Sequence, residues 1–153
     1  MKKIIILLGL FLLPLSVFNQ EIEPTEYGKN EFGANIGSTT GLGLSYRHWF
    51  SKTGIQLTFV PIITEEFDFI SGGLSFLQTF KHMKYMRFYG YLGNHFLYNT
   101  ESPWEYQYNI GIGPGFAFGK TVRFNIMVGY GAYNITNELG LFPSGEMGLY
   151  YSF

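Results

Sequence analysis

Residues Glu105 to Phe118 read Glu-Tyr-Gln-Tyr-Asn-Ile-Gly-Ile-Gly-Pro-Gly-Phe-Ala-Phe. Taken alternately, Tyr106, Tyr108, Ile110, Ile112, Pro114, Phe116 and Phe118 fall on one side, and Glu105, Gln107, Asn109, Gly111, Gly113, Gly115 and Ala117 on the other. Successive side chains of a β-strand point to opposite faces, so this alternation marks a strand whose two sides meet different surroundings. In a soluble sheet the apolar side forms the core and the other carries charge to satisfy water. Here the second side is small and nearly neutral. Such residues suit a narrow interior, and the aromatic and branched side suits a surface bathed in lipid.

The pattern continues through the rest of the chain. Val122, Phe124, Ile126, Val128, Tyr130 and Ala132 alternate with Arg123, Asn125, Met127, Gly129, Gly131 and Tyr133. The last segment sets Met147, Leu149, Tyr151 and Phe153 against Glu146, Gly148, Tyr150 and Ser152. Upstream, Leu42, Leu44 and Tyr46 alternate with Gly43, Ser45 and Arg47, and Ile55, Leu57 and Phe59 with Gln56, Thr58 and Val60. Less regular strands are expected at Phe69–Phe80 and Met86–Tyr98, and a first one at Glu31–Ser38 with Phe32, Ala34 and Ile36 on one side. That makes about eight strands, of the length a tilted strand needs to cross a bilayer. Hydrocarbon cannot satisfy a free sheet edge, so such a sheet must close. The expected fold class is all-β: an eight-stranded antiparallel up-and-down transmembrane barrel over residues 31–153, as one domain. Pro114 removes a ladder donor and is expected at a bulge or near the rim.

Composition agrees. Of 153 residues, 20% are aromatic and 14% charged, with 20 glycines and no cysteine. Low charge and many aromatics exclude a disordered chain, and the lack of cysteine excludes a disulfide scaffold. A net charge of −1 provides no field to attract nucleic acid. Lys2-Lys3 precede an apolar run from Ile4 to Val17, the layout of a secretory signal peptide. As a helix that run rises about 21 Å, short of a hydrocarbon core of roughly 30 Å. Residues 1–20 are therefore expected to be a signal peptide and 21–30 a periplasmic tail.

Connections sort by length and by sign. Short ones are expected at Ser51–Thr53, Lys81–Tyr85 and Gly119–Thr121, and longer ones at Ile63–Asp68, Asn99–Trp104 and Ile135–Ser144, after a first hairpin near Thr39-Thr40. Lys52, Lys81, Lys84, Arg87, Lys120 and Arg123 lie by the short ones; Glu65, Glu66, Asp68, Glu101, Glu105, Glu138 and Glu146 lie by the long ones. Tight periplasmic turns and longer external loops give this alternation.

The signal peptide, the eight alternating strands and the ending Tyr151-Ser152-Phe153 resemble the small outer-membrane barrels of the OmpA/OmpX type. The resemblance implies residence in the cell outer membrane among its lipids. It also implies that Met147, Leu149, Tyr151 and Phe153 act as the signal read by the barrel-assembly machinery. No periplasmic domain is expected after Phe153. Such folds host several activities; with a complete barrel pattern and no catalytic constellation in the sequence, the expected role is non-enzymatic: envelope integrity, surface attachment or recognition of an extracellular partner through the outer loops, by a monomer without cofactors.

Candidate site residues follow from the two faces. An eight-stranded barrel has room for little beyond its own side chains, so Arg47, Gln56, Glu105, Asn109, Arg123, Asn125 and Glu146 are expected to form an inner polar network. Some Arg and Glu groups must pair, because a lone buried charge is expensive. Glu105 and Glu146 nevertheless belong near one end, and Arg47 and Arg123 near the other. Alternating glycines such as Gly111, Gly113 and Gly115 lack the spacing and the helix of a phosphate loop and are read as room-makers. Aromatic girdles are expected from Tyr46, Trp49, Phe80, Tyr85, Phe118, Tyr151 and Phe153 at one end, and from Tyr98, Trp104, Tyr106 and Phe142 at the other. Trp104, Leu141 and Phe142 are expected to make external-loop contacts.

His48 and His82 belong by the short turns and His95 toward the outer end. With Ser102 and Glu101 nearby, His95 admits a second function, a nucleophile–base site acting on lipid A acyl chains. The His-x-Ser-Asn pattern of lipid A deacylases is missing. The strand pattern also admits a narrow channel, or a secreted soluble β-barrel binding apolar ligands.

Overall fold

The computed structural model describes residues 30–103 and 105–153. The expectations for residues 1–29 and for Trp104 lie outside the described residues. Eight strands follow one another: β1 (Asn30–Gly37), β2 (Gly43–Phe50), β3 (Thr53–Ile63), β4 (Asp68–Met83), β5 (Met86–Asn99), β6 (Tyr106–Phe118), β7 (Val122–Tyr133) and β8 (Gly140–Ser152). Each pairs antiparallel with its sequence neighbour, and β1 closes the barrel on β8. At the seam Phe32 stands opposite Tyr46 on one side and Tyr151 on the other. Backbone bonds between Asn30 and Phe153, at 3.1 and 2.9 Å, bring the end of the chain to the start of β1.

The alternation read from the sequence is the alternation of the wall. Thirty large apolar side chains stand exposed among the described residues, Leu44, Leu57, Ile112, Phe124 and Leu149 among them, whereas the buried apolar residues number seven, Ala117 included. The buried polar set is larger than the buried apolar set and includes Glu31, Arg47, Gln56 and Asn125. This inverts the usual distribution, in which charged residues are almost never fully buried unless paired.

Strand lengths are uneven. β1 and β2 have 8 residues each, whereas β4 has 16 and β5 has 14. β3 therefore continues past its last pairing with β2 at Phe59, and β8 begins well before its first pairing with β1 at Glu146. Pro61 and Pro143 fall in these two one-sided stretches, paired with Ile70 and Tyr130 respectively. A missing N–H costs nothing where no neighbouring strand asks for it.

Three expectations need correction. Pro114 is neither in a bulge nor near a rim. It lies within β6 opposite Gly90, and the ladder to β7 skips Gly113 and Pro114 and resumes in the same register at Gly115. Between β4 and β5 the register does shift, between Thr79 and Lys81. Second, Gly140–Pro143 is not loop. Pairing of Tyr133 with Gly140 and Ala132 with Leu141 extends β8 upward, so the connection shrinks to residues 134–139. Third, Trp49 belongs to no outer girdle: it is 3% exposed and lies in the lumen, where its ring packs edge-on to Tyr89 at 5.8 Å.

Candidate functional site

The inward positions fill the lumen in two tiers joined by hydrogen bonds. The lower tier, at the short-turn end, centres on Glu31, the inward neighbour of outward Phe32 on β1. Its carboxylate faces three guanidinium groups: Arg123 Nη1 at 2.9 Å, Arg47 Nη1 at 3.7 Å and Arg87 Nη1 at 3.7 Å. The arginines come from β7, β2 and β5, so one side chain ties together widely separated parts of the wall. Aromatic rings provide the remaining support. Arg47 lies 3.9 Å from the Tyr150 ring centre and Arg87 3.9 Å from that of Trp49, geometry in which a ring face attracts a cation.

From Arg47 the bonds run upward. Arg47 Nε donates to Gln56 Oε1 at 2.7 Å, and Gln56 Nε2 donates to Thr58 Oγ1 at 3.1 Å. Thr58 Oγ1 lies 3.0 Å from Ser45 Oγ, to which the Tyr150 hydroxyl donates at 2.9 Å. On the opposite wall the Tyr89 hydroxyl donates to Asn125 Oδ1. Leu77, Met127 and Ala117 pack beside Trp49, Tyr89 and Tyr91 as a small apolar cluster.

The upper tier contains a segment of the chain that is not part of the wall. Residues 38–42, between β1 and β2, turn into the lumen instead of away from it, and Thr39 and Thr40 are fully buried. Gly41, at φ +91°, supplies a backbone conformation that other residues rarely adopt. Glu146 receives the tip: Thr39 N and Oγ1 donate to Oε1 at 3.1 and 2.6 Å, and Thr40 Oγ1 donates to Oε2 at 2.6 Å. Asn35 Nδ2 donates to Thr40 Oγ1 and to the Gly41 carbonyl at 2.9 and 2.8 Å. Asn109 Nδ2 donates to the Ser38 carbonyl at 3.1 Å.

The inward glycines follow from this segment. A methyl group at Gly73 would meet the Thr40 carbonyl, one at Gly93 the Thr39 carbonyl, and ones at Gly111 and Gly131 the Thr39 side chain. Four strands thus leave out a side chain where the turned-in segment needs the volume.

Of the residues expected in the lumen, Arg47, Gln56, Asn109, Arg123, Asn125 and Glu146 are buried there. Glu105 is not. It precedes β6 and is exposed, its carbonyl accepting from Asn99 N at 3.0 Å, because the strand's inward series begins only at Gln107. Arg47 and Arg123 do not meet Glu146; Glu31 at their own end serves them. Glu31 and Arg87 were missed as lumen residues. Parity with Phe32 would have found Glu31, and parity in β5, where Arg87, Tyr89, Tyr91, Gly93 and His95 alternate, would have found Arg87. Leu141 and Phe142 are 72% and 60% exposed on β8, with Phe142 beside the Tyr133 ring at 6.1 Å. Met147, Leu149, Tyr151 and Phe153 all stand exposed on the outer side.

His95 is not assembled with Ser102 and Glu101. Its Nε2 lies 2.9 Å from Ser71 Oγ and its Nδ1 3.0 Å from the Ser38 carbonyl, while Ser102 Oγ accepts from Gln107 Nε2 at 3.1 Å. His48 Nδ1 lies 2.8 Å from Asn30 Oδ1 at the seam. Among the described residues no group of three His, Asp or Glu side chains could hold a metal ion. The arrangement defines a closed barrel with a packed polar interior and an apolar exterior. The chain matches no protein family, no curated protein and no solved structure.

Proposed function

We propose that the protein is an integral outer-membrane β-barrel of the small OmpA/OmpX-like kind, with a structural or recognition role and no catalytic one. The observation that carries this reading is the inverted distribution of polarity: charges inside, thirty large apolar side chains outside. A water-soluble protein rarely exposes a contiguous apolar patch beyond a few hundred Å²; a lipid-solvated barrel requires a belt of them. In this reading the short turns and the chain termini lie in the periplasm and the longer connections face outward. The outer-membrane lipids are the solvent of the wall, and the assembly machinery reads Met147, Leu149, Tyr151 and Phe153. The packed lumen supports a monomer that works through its outer surface, in envelope integrity, attachment or recognition, rather than through an open pore.

The test is fractionation followed by electrophoresis. The protein is expected in the outer-membrane fraction, and the folded form in detergent is expected to migrate differently from the boiled form. Recovery in the aqueous fraction without detergent would overturn the assignment.

A further inference from the structure

His95 holds both ends of the turned-in segment. A carbonyl oxygen only accepts, so Nδ1 must donate to Ser38 O at 3.0 Å. In a neutral imidazole the other nitrogen is then an acceptor, so Ser71 Oγ donates to Nε2 at 2.9 Å. Ser71 Oγ in turn accepts from Leu42 N at 2.9 Å. One ring therefore fixes residue 38 directly and residue 42 through a serine. The tip between them hangs on the carboxylate oxygens of Glu146, which take three bonds from Thr39 and Thr40.

We propose that residues 38–42 form a pH-released plug, with His95 as the trigger. Proton uptake at Nε2 removes the acceptor for the Ser71 hydroxyl; the oxygen can take Nε2–H on its free lone pair only by turning its own proton away, toward a site that offers it no other acceptor among the observed bonds. Neither bond to the ring comes from an acidic group. The described ion pairs all centre on Glu31 at the opposite end of the lumen.

The groups around His95 are neutral on every side. Its neighbours across the sheet are Gly73 on β4 and Asn109 on β6, and the plug presents a carbonyl. On β7 Tyr133 bonds through its hydroxyl to Ser38 Oγ at 2.9 Å. On β5 itself, Tyr91 bonds to Ser144 of β8 at 2.8 Å. Glu146 of β8 is the one charged group against the plug, and the threonines engage it. An isolated buried imidazolium is costly, so the protonated ring favours the open arrangement, in which it reaches water. Opening uncovers Ser38–Leu42 at the long-loop end and leaves the strands paired.

The test is amide hydrogen exchange by NMR on the folded full chain in detergent micelles, from about pH 7.5 to about pH 5, the range in which imidazole titrates. After correction for intrinsic exchange, protection at Thr39 and Leu42 is expected to fall by about tenfold per pH unit below the histidine's titration, the slope for one proton taken up on opening. Strand amides such as Tyr89 and Asn125 should keep theirs. In His95→Gln, whose side chain can still donate to Ser38 O and accept from Ser71, protection at both amides is expected to stay high across this range. A second variant, Ser71→Ala, should lower protection at Leu42 at every pH and leave the pH dependence at Thr39 in place. Protection of the wild-type segment that does not change with pH would overturn the proposal, and so would an equal loss in His95→Gln.

Discussion

Arg123 Nη1 on β7 lies 2.9 Å from Glu31 Oε1 on β1, a charge-assisted bond between residues 92 positions apart. Two further guanidinium groups converge on the same carboxylate, so the lower tier holds three cations around one anion. Removing that anion leaves buried charge of one sign, the costliest arrangement for an ion cluster.

Glu31→Gln is therefore expected to destabilise the folded protein by about 3–5 kcal/mol. Urea unfolding in lipid vesicles measures this. Glu105→Gln, which alters an exposed carboxylate outside the barrel, should leave the midpoint where it is.

The glycine cradle predicts a positional effect. Gly73→Ala places a methyl group against the Thr40 carbonyl, backbone that cannot swing aside. It should cost about 1–3 kcal/mol, the usual penalty of overpacking, and lower amide protection at Thr39. Gly145→Ala, with nothing near its added carbon, should change neither.

The outer face predicts a solvent. Ile112, half exposed near the middle of β6, becomes costly to replace if hydrocarbon surrounds it. Ile112→Arg should lose about 2–4 kcal/mol in vesicles, the cost of arginine near a bilayer midplane. Ile135→Arg, beyond the end of β7, should lose almost nothing. Near-zero values for both would mean that water wets the wall.

Trp49 offers an optical check of the lumen. With Trp104→Phe, Trp49 is the one indole left in the chain. Its emission should resist quenching by nitroxide-labelled lipid, because Tyr89 and Arg87 enclose the ring. Efficient quenching by lipid would return Trp49 to an interfacial girdle and refute its inward placement.

Much of the architecture was legible in the sequence because its signal is local. Each strand reports its two faces within a few residues: Tyr106 to Phe118 needs no partner to show which side is apolar, and outward Phe32, Ala34 and Ile36 imply inward Glu31, Gly33 and Asn35. Trp49 shows where this fails. A large aromatic reads as surface in such a barrel, yet its position follows Ser45 and Arg47 on the inward face. Parity outranks residue type because the backbone sets side-chain direction.

The sequence by itself determined an eight-stranded alternating wall, the sorting of turns by length and charge, and part of the inward polar set. Tertiary structure alone decided which of those residues meet. Glu31 serves Arg47, Arg87 and Arg123, and Glu146 serves Thr39 and Thr40, because ring closure and strand register bring distant positions to one level of the lumen. That residues 38–42 turn inward was equally out of reach. The direction of a short connection depends on the volume left by Gly73, Gly93, Gly111 and Gly131 on four different strands, and that volume exists only once the barrel has closed.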